Sequence, residues 1–190
     1  MDKSIEHYIP DHQSTALVVV DIQERLAAAM PAEVMAGVVR RTEILIAAAR
    51  ELSLPVILTE QYPRGLGVTV PSLQAALGSD THPIEKLTFS CCGVEHFNAA
   101  LENHAVRDVI LCGIETHVCV YQTALDLLGG GRRVFLAADA VCSRSRQNHK
   151  LALKNMRQAG VVVGSSEMFL FQLLKEARGD TFKAISRLVK

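Results

Sequence analysis

The chain has 190 residues, 49% of them hydrophobic, with 20 basic and 20 acidic side chains and a formal net charge of zero. That length and apolar content suit a single domain over 1–190 that needs no staples, and they exclude disorder. Zero net charge excludes a general nucleic-acid or anionic-membrane partner, because both require a cationic footprint. The five cysteines are odd in number and lack paired spacing, which reads as free thiols in a reducing cytoplasm.

Residues 1–15 carry mixed charge and lack the apolar stretch of a leader peptide. The first apolar run, Ala16 to Val20, is far shorter than the ~20 residues of a membrane span. It is instead the first of six predicted strands, followed by Pro55–Thr59, Ile84–Leu87, Asp108–Cys112, Arg133–Ala137 and Val161–Val163. Their centres are continuous apolar runs, as expected when both faces of a sheet are covered. Between them the spacing predicts helices over Ala32–Leu52, Val94–His104, Val118–Leu128, Gln147–Ala159, Ser166–Ala177 and Thr181–Leu188. Gly129 to Gly131 and Gly160 supply helix stops before the fifth and sixth strands. Alternation of this kind predicts an α/β three-layer sandwich with a doubly wound, mostly parallel six-stranded sheet of Rossmann-like form.

In such sheets the chemistry gathers at the carboxyl ends of the strands. The first strand ends at Asp21, where a dinucleotide-binding fold would have its glycine-rich turn. Asp21 has two readings of equal weight, a helix N-cap and a catalytic carboxylate. Gln23 divides likewise between orienting a substrate and capping. The third strand carries Lys86, with Phe89 and Ser90 just beyond; a lone lysine near a strand end reads either as a solvated edge residue or as a functional one. The fourth strand runs into Cys112-Gly113-Ile114-Glu115-Thr116-His117-Val118-Cys119-Val120. Gly113 breaks the strand, Thr116 is placed to cap the next helix, and Cys119 falls in its first turn. A thiol there meets the positive end of the helix dipole, which predicts a lowered pKa, and unpaired backbone N–H groups nearby can receive an oxyanion. Asp21, Lys86 and Cys119 would then meet at one rim, the ammonium favouring the thiolate and the carboxylate shuttling a proton.

On these residues the chain resembles the isochorismatase-like hydrolase superfamily, which includes nicotinamidases and N-carbamoylsarcosine amidohydrolase-type enzymes. The resemblance rests on Val-Val-Asp21-Ile-Gln23, on Lys86 before Phe89-Ser90, and on Gly113-Ile-Glu-Thr116-His-Val-Cys119-Val120. It implies an Asp–Lys–Cys triad with Cys119 as nucleophile, Asp21 as general base and Lys86 as thiolate stabiliser. It also implies a non-proline cis peptide between Ile114 and Glu115, which would turn the Glu115 N–H, with that of Cys119, toward the oxyanion. Nicotinamidases carry an Asp-x-His metal motif after the second strand. This chain has Thr59-Glu60-Gln61-Tyr62-Pro63 there, so no metal and no cofactor are expected. True isochorismatases lack the cysteine, and the chain looks most like the isochorismatase domain-containing proteins.

Tyr62, Phe89 and His117 are expected at the wall of a small-molecule pocket, because they flank the triad in sequence. Arg64 is a candidate for an anionic group of the substrate. The basic run Arg144, Arg146, Lys150, Lys154 and Arg157 reads as a solvated helix face. Cys91, Cys92, Cys112 and Cys142 read as packing. Met168-Phe169-Leu170-Phe171 suits either a subunit interface or a packed last helix, and the resemblance implies a homo-oligomer. The expected activity is cysteine hydrolysis of a small amide or related C–N bond; the alternative is a redox-responsive or scaffold protein that keeps the fold and the thiol.

Overall fold

A computed structural model describes residues 4–190. In chain order it contains β1 (Thr15–Val20), α1 (Glu24–Ala28), α2 (Ala32–Glu51), β2 (Val56–Gln61), α3 (Pro63–Leu66), α4 (Pro71–Leu77) and β3 (Ile84–Lys86). Then follow α5 (Glu95–Asn103), β4 (Asp108–Ile114), a π-helical turn (Thr116–Val120), α6 (Tyr121–Gly129), β5 (Arg133–Cys142), α7 (Arg146–Ala159), β6 (Val162–Gly164), α8 (Ser166–Leu174) and α9 (Gly179–Leu188). The strands form one sheet in the order β3-β2-β1-β4-β5-β6, and every pairing in it is parallel.

Alternation along each strand splits the core in two. Leu17 and Val19 of β1 join Ile110, Cys112, Phe135 and Ala137 in a cluster covered by α2, α4, α8 and α9. Ala16, Val18 and Val20 join Val109, Leu111, Val134 and Leu136 in the other, under Phe97 and Leu101 of α5, Ala124 and Leu127 of α6, and Ala152 and Met156 of α7. The continuous apolar runs thus follow from a sheet with helices on both faces. Truncating one of the fully buried Leu or Phe side chains to alanine costs about 2–5 kcal/mol.

The boundaries differ from the sequence expectation in informative places. β5 continues five residues past Ala137, to Cys142, through Ala138 and Asp139, because β4 still pairs with it at Val141 and Cys142. The three short helices α1, α3 and α4 carry no long apolar period and were not expected. α8 stops at Leu174, before Ala177, because Lys175 turns to φ +62°. Gly160 ends α7 as expected, at φ +112° with its N–H on Arg157 and Met156 carbonyls. Met168-Phe169-Leu170-Phe171 divides: Phe169 and Leu170 are core, whereas Met168 and Phe171 reach the surface.

Strand order reverses between β1 and β4, which places the crevice of a doubly wound sheet beyond Val20 and Ile114. Gly113 lets the two strands approach there. It sits at φ +123°, and a Cβ on it would collide with the backbone of Val20. At the opposite end of the sheet, Asp108 is fully buried and held by Arg133, Nε to Oδ1 at 2.7 Å and Nη2 to Oδ2 at 2.5 Å. A hollow of about 660 Å³ lies beside that pair. It sits at the amino ends of the strands, where Arg133 and Arg107 are already paired with Asp108 and Asp11.

Candidate active site

The crevice gathers Asp21, Lys86 and Cys119. Asp21 follows β1 in the left-handed region, at φ +50°, its N–H donating to the Thr59 carbonyl at 3.2 Å. It caps no helix; that position before α1 belongs to Gln23. Lys86 ends β3, two strands away, and its extended side chain crosses the end of β2 to reach Asp21. Its Nζ lies 2.6 Å from Asp21 Oδ2, with both side chains completely buried. The ammonium also donates to Gln61 Oε1 at 2.7 Å and to the carbonyls of Phe89 and Thr88 at 3.1 and 3.3 Å. Such a cage keeps the charge in place out of water, since a buried ion is tolerated only when paired and hydrogen-bonded.

Thr59 Oγ1 donates to Asp21 Oδ1 at 2.7 Å, and the Cys91 thiol donates to Thr59 Oγ1 at 3.7 Å. Cys91 N–H is anchored on Thr123 Oγ1 at 3.0 Å. Thr123 lies four residues beyond Cys119, on the same helical face. The Cys119 thiol lies beside this pair and feels the charges of both Asp21 and Lys86.

Cys119 does not occupy the first turn of an ordinary helix. It lies in the π-turn that precedes α6, where the Glu115 carbonyl accepts from both Val118 N–H at 3.0 Å and Val120 N–H at 3.3 Å. The peptide between Ile114 and Glu115 is cis. The buried Glu115 carboxylate accepts Arg144 N–H at 3.0 Å and pairs with Arg144 Nη1 at 3.4 Å, tying this turn to the segment after β5. Thr116 caps nothing; its hydroxyl pairs with His149 Nδ1 at 3.0 Å. Burial holds His149 below the usual imidazole range.

The lowered thiol pKa expected from a helix dipole is corrected by this environment. Burial pushes Cys119 up to about 12, the Asp21 carboxylate adds to the rise, and Lys86 pulls the other way without prevailing. Lys86 is held above its ordinary value: burial works against the ammonium, but Asp21, then Cys91 and Cys119, outweigh it. The resting site is therefore a neutral thiol beside a buried ion pair. A thiol raised this far is protonated at neutral pH, so useful nucleophilicity requires the proton to leave as the sulfur attacks.

The expected wall residues fall in different places. Tyr62, at φ +38° and 51% exposed, lines a cleft of about 370 Å³ with Pro63, Arg64, Glu85, Lys86 and Leu87. Phe89 is 53% exposed and contributes its carbonyl to Lys86. His117 is half-buried, pairs with Ser143 Oγ at 3.0 Å and lines a separate hollow with Tyr121 and Asn148. Gln23 is fully buried, and its amide is committed to backbone: Nε2 donates to the Gln61 and Gly67 carbonyls, and Oε1 accepts Gln61 N–H. Gln23 therefore clamps the segment after β2, which is where its importance lies. Glu60 points to the other face of β2 and binds Thr69 N–H and Oγ1 through Oε1 at 2.6 and 2.7 Å. Among the described residues no cluster of His, Cys, Asp and Glu could hold a metal ion.

Sequence reasoning missed Thr59, Gln61 and Cys91. Each is an ordinary residue for a strand end or a core, and each acquires a role only once β1, β2 and β3 lie side by side. The available signal was the alternation of Thr59 and Gln61 on one face of β2, next to the strand that carries Asp21.

Residues 15–168 match the family model described as the isochorismatase domain. The bovine isochorismatase domain-containing protein 2 is 39% identical over 93% of this chain and 83% of its own length. The solved structure of MAR1 ribonuclease from Caenorhabditis elegans superposes with a TM-score of 0.89 at 39% identity, covering 95% of this chain and 92% of that one. YcaC from Pseudomonas aeruginosa, solved with hexane-2,5-diol and covalent acrylamide, gives a TM-score of 0.85 at 25% identity over 97% and 92% of the two chains.

Proposed function

The chain belongs to the isochorismatase domain family, whose membership supports a hydrolase, and from that premise we propose that it is a cysteine hydrolase of small amides or related C–N compounds. The observation that carries the reading is the buried Asp21–Lys86 pair, 2.6 Å apart, with the Cys119 thiol near enough that both charges act on it. Cys119 Sγ attacks the substrate carbonyl carbon while its proton passes to Asp21. The negative charge moves from carboxylate to sulfur and then to the carbonyl oxygen, and Lys86 stays protonated beside it throughout. Backbone N–H groups of Glu115 and Cys119 receive the oxyanion. The C–N bond breaks as Asp21 returns the proton to the leaving nitrogen. Water then attacks the thioester, giving its proton to Asp21 and releasing the acid, and the Cys119 thiol is restored. The mouth of the site is the cleft beside Tyr62, with Arg64 and Glu85 on its walls.

The P. aeruginosa neighbour was solved with covalent acrylamide, a reagent that captures nucleophiles at its vinyl carbon, which fits a reactive side chain in such a site. The ribonuclease named in the C. elegans neighbour offers a different substrate class. A polyanionic strand needs cations along its path, and here the cleft sets Arg64 against Glu85. We place the chain in the cytoplasm, on its five free thiols, and expect copies to assemble into a homo-oligomer. No helix of the described residues is long and apolar enough to cross a membrane.

A panel of small amides, ureides and esters assayed with the parent chain and with Cys119→Ala tests the reading. Turnover of at least one member that disappears in Cys119→Ala is the expected result. Turnover that survives in Cys119→Ala, or RNA cleavage dependent on Asp21 with no amide turned over, would remove it.

A further inference from the structure

Asp21 has two carboxylate oxygens, and the surroundings distinguish them. Thr59 is fully buried on β2, and a hydroxyl has one proton to donate. Its acceptor side is taken by the Cys91 thiol at 3.7 Å, and its proton goes to Asp21 Oδ1 at 2.7 Å. Burial pushes Cys91 up to about 12, so this thiol stays protonated and remains a donor. The chain of hydrogen bonds therefore runs one way, from Cys91 through Thr59 to Oδ1. No hydroxyl or amide among the described residues donates to Oδ2, which is completely buried and faces Lys86. Two residues further along the same face of β2, Gln61 holds Lys86 Nζ at 2.7 Å. One strand end thus grips both members of the ion pair.

We propose that Thr59 is a positioning residue for the general base: by pinning Oδ1 it fixes the plane of the Asp21 carboxylate, leaving Oδ2 as the oxygen that takes and returns the Cys119 proton. Thr59 is fully buried, and its hydroxyl is committed to Asp21 and Cys91, so it serves the chemistry and not substrate capture. Proton transfer depends steeply on alignment, and a displacement of about 1 Å can change a rate by roughly 10²-fold.

Thr59→Val removes the hydroxyl at nearly constant volume, and Thr59→Ser keeps it. The direct readout is the second-order rate of iodoacetamide alkylation at Cys119, resolved by peptide mapping, at fixed neutral pH. It needs no knowledge of the substrate. Thr59→Val is expected to slow alkylation about tenfold or more, with Thr59→Ser within about threefold of the parent. On any amide the parent turns over, kcat should fall by roughly 10- to 100-fold in Thr59→Val with KM within about twofold. Alkylation in Thr59→Val equal to the parent would overturn the proposal. So would an equal loss in Thr59→Ser, which would make the effect one of packing. If Thr59→Val does not fold, Thr59→Ala carries the same test. The turnover arm rests on the hydrolytic reading and the alkylation arm does not. A parent that hydrolyses nothing in the panel would sink that reading while the alkylation ratios still judge Thr59.

Discussion

Replacing Lys86 with methionine strikes the site at its most buried charge. The substitution keeps the length and apolar stem but leaves Asp21 without its ammonium at 2.6 Å. It also removes the donor from Gln61 Oε1 and from the Thr88 and Phe89 carbonyls. Breaking a buried pair by deleting one partner costs about 3–5 kcal/mol, because an uncompensated charge stays behind. For a chain of this size each kcal/mol is worth about 2–4 °C of melting temperature, so Tm should fall by roughly 6–20 °C. Asp21→Asn in the Lys86→Met background removes the orphaned charge and should recover about 1–3 kcal/mol relative to the sum of the single changes. Alkylation of Cys119 in folded Lys86→Met should also slow, since the one group that lowers this thiol's pKa is gone. Thermal and urea unfolding of the four proteins supply the cycle. A Tm within about 2 °C of the parent together with additive single effects would refute the reasoning, because the ion pair would then carry no energy worth its burial.

Stability should fall at alkaline pH. All five thiols are raised by burial, Cys91, Cys112 and Cys119 to about 12 and Cys92 and Cys142 to about 11, against 9.0 in the unfolded chain. Above pH 9 the native state binds more protons than the unfolded one, so stability is intact below pH 9 and lost as pH rises toward 11–12. Urea midpoints measured across pH 7–11 should be flat and then fall; a rising midpoint above pH 9 would contradict the burial of these thiols. Glu115→Gln should cost about 1–3 kcal/mol, since it replaces a buried carboxylate that holds Arg144 by a backbone hydrogen bond and an ion pair. It should lower kcat more than it raises KM, because it loosens the turn that presents Cys119. Steady-state kinetics beside unfolding curves would show the split, and a pure KM effect would place Glu115 on substrate instead.

The six strands were legible because a parallel sheet covered on both faces needs unbroken apolar runs, and Ala16–Val20 or Asp108–Cys112 can satisfy little else. The convergence of Asp21, Lys86 and Cys119 on one rim was legible for a related reason: each lies at or just beyond the carboxyl end of a strand, and those ends share an edge. The state of the thiol was not. From the chain alone Cys119 sits near a helix start, and only the packed crevice shows that burial and a neighbouring carboxylate outweigh the ammonium. The part of Gln23 was hidden in the same way, because its three backbone partners come from residues 61 and 67, which no local pattern links to it. The far half of β5 is hidden in the sequence because Ala138 and Asp139 interrupt its apolar run, although backbone pairing to β4 resumes beyond them at Val141 and Cys142.

The central claim is a covalent acyl group on Cys119, and intact mass spectrometry of acid-quenched protein after mixing with the amide and ester panel tests it most directly. The account predicts an adduct of the acyl mass that maps to the peptide containing Cys119, forms far more slowly in Asp21→Asn, which lacks the base for acylation, and is missing from Cys119→Ala. An acyl group on another residue, or turnover of a panel member by Cys119→Ala at the parent rate, would contradict it.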